Sequence, residues 1–425
     1  MVLRILTSID HESLEELRIA LEWDFWAEKG PVGEVRSILK EVEDRGDEAL
    51  LELTSRFDGV DLASKGLRVK RAELEKASSI MKRPFIDAVR AATRAITAFH
   101  RHQSWESQFW ESDEGARIGQ MVRALKRVGA YVPGGSASYP STAMMTVIPA
   151  KVAGVSEIAV CVPPGKNGDI DPSTLYTLNE MGVEEVYRLG GAQAIGALAY
   201  GTETISAVDK IVGPGNVYVA LAKREVFGRV GIDILAGPSE LALLADGGAD
   251  ARYLACDILA QLEHGSGARA CLITDSEDLV RQVDKELSNA MGAQRSKQSH
   301  NVSAVVVRDI EEGGTLVDIL APEHLVIATD DITGVLSGIH NAGAIFLGVD
   351  SPVALGDYAV GVNHVLPTGG AARFSSPLGV YDFVKRSNVV ISNLKANRAL
   401  SQVIEALAEV EGFTYHAESM RKRLH

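Results

Sequence analysis

The stretch EIAVCVPPGKNGDIDPSTLYTLNEMGVEEVYRLGGAQAIGALAY, residues 157–200, decides the fold. It holds two short runs of strand length, EIAVCV (157–162) and EEVYRL (184–189), and each hands over to a helical stretch, 172–181 and 192–200. Strand, helix, strand, helix in this order implies parallel strands covered by helices on both faces. Working outward, VGAYV (128–132) and a helical stretch at 141–153 precede it, while DKIVG (209–213) and 216–227 follow. After Asp233 a second series begins. Its strand candidates are LALLAD (241–246), ARACLITD (268–275), SAVVVRD (303–309), LVIATD (325–330) and AIFLGV (344–349). Helices at 250–264, 277–290, 312–320 and 331–340 separate them. The expected fold is α/β with two Rossmann-like parallel-sheet domains. Duplication and simple adjacency both account for two such units, and no repeat chooses between them.

The flanks read differently. Residues 1 to about 118 look helical and charged, with helix spacing at Val35, Ile38, Leu39 and Val42 and again at Ile86, Val89, Ala92 and Ile96. All four tryptophans, Trp23, Trp26, Trp105 and Trp110, fall here, where packing and a subunit contact are the expected roles. Beyond 350 the chain is loop-rich until a last helix, NRALSQVIEALAEVEGF, leads to His416 and a basic tail.

At 425 residues the chain is too long for one hydrophobic core. A formal charge of −14 and a pI near 5.3 argue against nucleic acid or an anionic membrane as partner. No run is long or apolar enough for a signal peptide or a membrane span, so the cytoplasm is the expected location. Three cysteines, none at CxxC spacing, exclude a disulfide framework; Cys161, Cys256 and Cys271 read as buried apolar filler.

Candidate chemistry concentrates in a few places. In DARYLACDILAQLEH (250–264), Leu254, Ile258 and Leu262 make an apolar helical stripe, and Asp257, Gln261 and His264 fall on a second one. Gln261 and His264 are neighbours on that surface and could grip one ion, although on this stretch alone a solvated polar face is the better reading, since a metal site needs three or four ligands. Gly265 ends the helix. Three glycine-rich turns, VPGGS (132–136), LGGAQA (189–194) and GPGN (213–216), sit where strands hand over to helices, which is where phosphates and nucleotides bind. None matches GxGxxG. Tyr131, Gln193 and Asn216 at these edges suit a ribose or a nicotinamide, with turn hydrogen bonding as the plain alternative. Of ten histidines, His100 and His102 read as surface residues. In APEHLVIATD, Glu323 and His324 place an acid beside a base at the mouth of a sheet, suited to proton transfer. Asp357 and His364 share a glycine-rich loop, and Glu411 and His416 follow the last helix. Gln261, His264, Asp357 and His416 together would form a mixed N/O set that suits zinc, with manganese or cobalt as substitutes; it is one grouping among many.

At these residues the chain closely resembles the histidinol dehydrogenase family. The matching blocks are VGAYVPGG, GGAQAIGALAYGTE, VDKIVGPGN, AGPSE, AQLEHG, APEHL, AGAIFLG, ALGDYAVGVNHVLPT and ARFSS, from about 125 to 376. Weaker similarity continues in RGDEALLELTSRFD and EGFTYHAES. The resemblance implies NAD- and zinc-dependent oxidation of L-histidinol to L-histidine through L-histidinal. It implies Gln261, His264, Asp357 and His416 as ligands of one zinc per subunit, and Glu323 and His324 as the catalytic pair. Ser239, Gln261, His264, His324, Asp357, Glu411 and His416 become substrate-contacting positions, and Tyr131, Gln193 and Asn216 NAD-contacting ones. It also implies a homodimer in which Glu411 and His416 cross to the partner's site.

The division expected on this basis is a helical extension (1–27), a first α/β domain (28–129 with 239–378), an NAD-binding α/β domain (130–238) and a C-terminal dimerisation segment (379–425). Two departures, HGSGA after His264 and SSPLGV in place of the commoner SSGLSV, touch no expected ligand. They leave open a same-fold dehydrogenase of another small polar alcohol, such as a sulfonated diol.

Overall fold

The computed structural model describes residues 2–10, 13–21, 30–134, 137–291 and 301–424. Trp23, Trp26 and part of the VPGGS turn lie outside the described residues. The chain opens with β1 (Arg4–Thr7), α1 (Leu14–Ala20), α2 (Val32–Asp58), α3 (Arg71–Ile80) and α4 (Arg83–Arg101). Then come β2 (Gln108–Glu111), β3 (Arg117–Ala124), β4 (Arg127–Tyr131), α5 (Pro140–Ala153), β5 (Glu157–Val162) and α6 (Pro172–Glu180). β6 (Glu185–Arg188), α7 (Gly191–Tyr200), β7 (Lys210–Val212), α8 (Val217–Val226) and β8 (Gly231–Ile232) complete the first alternating series. The second consists of β9 (Glu240–Ala245), α9 (Ala251–Leu262), β10 (Arg269–Thr274), α10 (Glu277–Met291), β11 (Val302–Val306), α11 (Ile310–Leu320), β12 (His324–Ala328), α12 (Ile332–Gly338) and β13 (Ala344–Leu347). A short α13 (Ala354–Tyr358), β14 (Val384–Ile391), α14 (Leu394–Val410) and α15 (Thr414–Arg421) follow.

Two parallel sheets result. The smaller has the order β6-β5-β4-β7-β8 and the larger β1-β11-β10-β9-β12-β13. In the larger sheet successive side chains alternate between two cores. Leu241, Leu243, Ala270, Leu272, Val302, Ala304 and Val326 face α9 and α10. Ala242, Leu244, Cys271, Ile273, Val305, Leu325 and Ile327 face α11 and α1. Burial on both faces explains why these strands read as unbroken apolar runs.

Three expectations about the flanks are corrected. Residues 4–7 form a strand, paired in parallel with β11 at the edge of the larger sheet, so the N-terminal extension is not wholly helical. The helical stretch grouped with 239–378 packs instead on the smaller sheet: α2 lies on α7 and α8, α3 on α6, and α4 on α5. Its apolar stripes, such as Val35, Leu39 and Val42, share one core with Leu198 and Leu221. The third correction is a three-stranded antiparallel sheet, β14-β3-β2, which joins the C-terminal segment to the residues before β4.

α2 is two helices joined at Gly46, whose φ of 52° and ψ of −130° break the helical run. A Cβ there would collide with the Glu203 carboxylate, which accepts the Asp47 N–H at 2.8 Å and so caps the second half. Among the described residues no helix is long and apolar enough to cross a membrane. Cys161 and Cys271 are buried as expected, and burial pushes the Cys271 thiol up to about 12. Cys256 is exposed, because it lies between the stripe residues Leu254, Ala255 and Ile258 on the outer side of α9. Trp105 and Trp110 are about half exposed; the Arg386 guanidinium lies 4.5 Å from the Trp105 ring centroid.

Candidate active site

In the smaller sheet the chain runs outward from β4 through β5 to β6, then returns to start β7 on the other side of β4. That reversal opens a crevice at the carboxyl ends of β4 and β7, where ligands of open α/β sheets bind. The three residues expected at a nucleotide site meet there. Tyr131 ends β4, and its hydroxyl accepts the Gly191 N–H at 3.2 Å. Gln193 is buried in the first turn of α7, and its Oε1 would stand 2.7 Å from a Cβ at Gly191. Asn216 caps α8 by accepting the Val219 N–H at 3.2 Å. Tyr131 and Asn216 thus make the turn hydrogen bonds that were the plain reading of the sequence, and they do so at the edge the cofactor reading needs.

The GPGN turn is clasped from below. Gly213 has φ +109°, and a Cβ there would strike the Tyr131 carbonyl. Its N–H donates to Asp233 Oδ2 at 2.7 Å, and its carbonyl accepts Lys223 Nζ at 3.0 Å. Lys223 and Asp233 pair with each other, each side chain about 1% exposed.

The larger sheet reverses between β9 and β12, and the expected acid–base pair sits at the amino ends of these two strands. Glu323 and His324 are both buried. Glu323 Oε2 accepts the Glu240 N–H at 2.9 Å and lies 3.4 Å from His324 Nδ1. His324 Nδ1 also lies 3.2 Å from the Glu240 carbonyl, which can only accept; this makes Nδ1 the protonated nitrogen and leaves Nε2 basic. Burial lowers the proton affinity of His324, but the Glu323 carboxylate and, more weakly, Asp357 outweigh it and raise the pKa above 6.5.

His364, singled out in sequence without a role, donates from Nδ1 to the Asp357 carbonyl at 2.9 Å and receives the Thr142 hydroxyl at Nε2, 3.4 Å away. Burial lowers its pKa and keeps it neutral. Thr142 belongs to α5, so this contact joins the carboxyl edge of the smaller sheet to the loop beside the amino edge of the larger. His100, expected at the surface, is fully buried. Its Nδ1 donates to Gln103 Oε1 at 2.7 Å, and its Nε2 accepts from Asn363, which also donates to the Met145 carbonyl at 2.8 Å. The signal was present in sequence: His100 continues the Val89, Ala92, Ile96 stripe of α4. The apolar face that it continues decides its burial, and the lack of charged neighbours does not.

Of the expected metal ligands, Gln261 and His264 lie at the end of α9, and Asp357 lies on the segment whose start is tied to that helix. Gln261 is buried on α9, and His264 follows in the exposed turn. Asp357 lies on α13, whose N-terminal end is tied to α9: the Asp257 carboxylate accepts the Val353 N–H, and burial pushes that carboxyl up to about 6. The Gln261 Nε2 position is buried and has no partner; an amide turned by 180° places its oxygen there, as a cation would require. No group of three His, Cys, Asp or Glu side chains converges on one point among the described residues. His416 and Glu411 lie exposed at the C-terminal helices, where α15 packs on α14 and His416 stacks beside Phe413. Ser239 is partly buried immediately before Glu240, beside the acid–base pair.

A nucleotide-type crevice in one sheet, linked through Thr142 and His364 to the loop beside buried Glu323 and His324 in the other, is the arrangement of an α/β dehydrogenase. The family model described as histidinol dehydrogenase matches residues 28–424. Histidinol dehydrogenase of Bacillus licheniformis is 47% identical over 395 residues, 92% of each chain. That of Methanothermobacter thermautotrophicus is 44% identical over 426 residues, 99% of each. The crystal structure of histidinol dehydrogenase from Elizabethkingia anophelis superposes with a TM-score of 0.93 at 33% identity, covering 100% of this chain and 98% of that one. The chain belongs to the histidinol dehydrogenase family and is an NAD-dependent oxidoreductase.

Proposed function

We propose that the chain oxidises L-histidinol to L-histidine through L-histidinal, a four-electron reaction consuming two NAD⁺, where the edges of its two sheets meet. The observation that carries this is His324, whose Nδ1 is held by the Glu240 carbonyl at 3.2 Å and whose Nε2 is therefore basic. His324 takes the substrate hydroxyl proton in the first oxidation, and Glu323 activates water for attack on the aldehyde before the second. Burial of both keeps a reactive aldehyde away from bulk water.

Gln261, His264 and Asp357, with His416 of a second copy, would hold a zinc ion. Their mixed N/O donor set and the unpartnered Gln261 amide support that fit. Bound there, zinc supplies a Lewis-acid anchor for the amine and imidazole nitrogens of the amino alcohol. Tyr131, Gln193 and Asn216 would hold the dinucleotide, whose nicotinamide is the hydride acceptor. Ser239 and Glu411 orient the substrate. The homodimer is supported by an uncovered apolar stripe, Val403, Leu407 and Val410 on α14, beside exposed Phe413 and Tyr415. Another small polar alcohol as substrate is not favoured, because the relatives named above are all histidinol dehydrogenases.

The test is to incubate the purified protein with L-histidinol, NAD⁺ and zinc. Two NADH per histidine are expected; NADH without histidine removes the reading.

A further inference from the structure

We infer that Glu240 is a positioning residue for the acid–base pair, holding Glu323 and His324 through its main chain and tying them to the 363–369 loop through its carboxyl group. The inference rests on the reading of Glu323 and His324 as that pair.

Glu240 opens β9 and is 3% exposed. Its N–H donates to Glu323 Oε2 at 2.9 Å, and its carbonyl takes the His324 Nδ1 proton at 3.2 Å. One short piece of backbone therefore sets the Glu323 carboxylate and the His324 tautomer together. The Glu240 carboxyl in turn accepts the Gly369 N–H at Oε2, 3.0 Å away, and the Glu323 N–H. Glu240 and Glu323 thus exchange backbone-to-carboxyl hydrogen bonds across the two strands that flank the reversal of the larger sheet. The adjoining Thr368 hydroxyl accepts the Gly237 N–H at 2.5 Å, so the loop is tied to the start of β9 twice. His364, which fixes the Asp357 backbone, belongs to the same loop.

The charged and titratable groups facing Glu240 are Glu323 and His324 at β12 and Arg269, its register partner on β10. Two carboxyl groups this close and this buried cannot both stay ionised without cost. Burial, then the Glu323 charge, push the Glu240 carboxyl up to about 8, against the pull of Gly369 and Arg269. At neutral pH Glu240 is the neutral member of the cluster. Its ionisation at higher pH sets a second negative charge beside the neutral His324 ring and strengthens it as a base, so the rate profile carries a second inflection there.

The experiment compares Glu240→Ala and Glu240→Gln in the zinc-loaded enzyme. Glu240→Ala frees the loop and should lower kcat at pH 7 by about tenfold or more, with zinc content and KM for NAD⁺ unchanged. Glu240→Gln keeps the volume and an acceptor for Gly369 and should restore much of that loss. It should also lack the inflection near pH 8 that ionisation of Glu240 adds to the wild-type rate profile. Independently of turnover, the infrared spectrum at pH 7 should show a protonated-carboxyl band that Glu240→Gln removes. A spectrum unchanged by the substitution overturns the inference, as does full activity in folded Glu240→Ala. If Glu240→Ala does not fold, the band and the Glu240→Gln pH profile still decide. A first oxidation intact in His324→Ala would instead overturn the acid–base reading and leave the band unaffected.

Discussion

His324 feels two opposed forces. Its burial favours the neutral ring, whereas Glu323 at 3.4 Å and the Asp357 charge favour the cation, and the cation gains. A base must be neutral to accept a proton, so the first oxidation should rise with pH through an inflection above 6.5. Glu323→Gln removes the nearer charge and should move that inflection to lower pH in single-turnover measurements of the first NADH. An inflection that stays in place would mean another group is titrating. The same variant should slow NADH formation from L-histidinal more than from L-histidinol, because activation of water is needed only for the second step; equal losses would leave Glu323 a structural acid. His324→Ala should lower the first oxidation about a hundredfold or more, with zinc retained. Metal loss in that variant would count against its role as base.

Among the elements, the turn after β7 shows how a buried ion pair shapes a binding edge. Lys223 and Asp233 hold both backbone groups of Gly213, and that glycine faces the Tyr131 backbone. Lys223→Met strands a buried carboxylate and should cost about 3–5 kcal/mol in chemical denaturation. The double variant with Asp233→Asn should recover most of that stability but keep a raised KM for NAD⁺, because the Gly213 carbonyl has lost its donor. A single variant costing under about 1 kcal/mol would show that the pair is not essential to the turn. The strands beside this turn were legible in sequence because both of their faces are buried, so the apolar run and its length suffice. β1, β2 and β14 were not: RILT, QFWE and VKRSNVVI each expose at least half of their residues and bury none, and their partner strands, not their own pattern, make them strands. The site divides the same way. Gln261 and His264 lie three residues apart across the end of α9, so their pairing as candidates needs only local spacing. Glu240 joins Glu323 across 83 residues, a meeting that exists only once β9 and β12 are neighbours.

For the whole molecule, the question is what covers α14. Val403, Leu407 and Val410 recur at helical spacing and face outward, with Val410 90% and Tyr415 82% exposed. An apolar stripe of this kind on a chain of net charge −14 calls for a partner surface, and a second copy supplies the same stripe under two-fold symmetry. On the proposed reading such a dimer would carry His416 of one copy toward the metal site proposed for Gln261, His264 and Asp357 of the other. Leu407→Glu should then yield a monomer on size-exclusion chromatography that binds zinc weakly and turns over little. The sharper measurement mixes two inactive enzymes. On the proposed shared site, His264→Ala and His416→Ala should each disable both sites of their own homodimer. In a hybrid, one site receives both defects and the other neither. Random re-association makes half the dimers hybrid, so about a quarter of all sites, and about a quarter of wild-type activity, should return. Mass spectrometry counts the hybrids. If hybrids form and activity does not return, His416 serves its own subunit and the cross-subunit site is wrong.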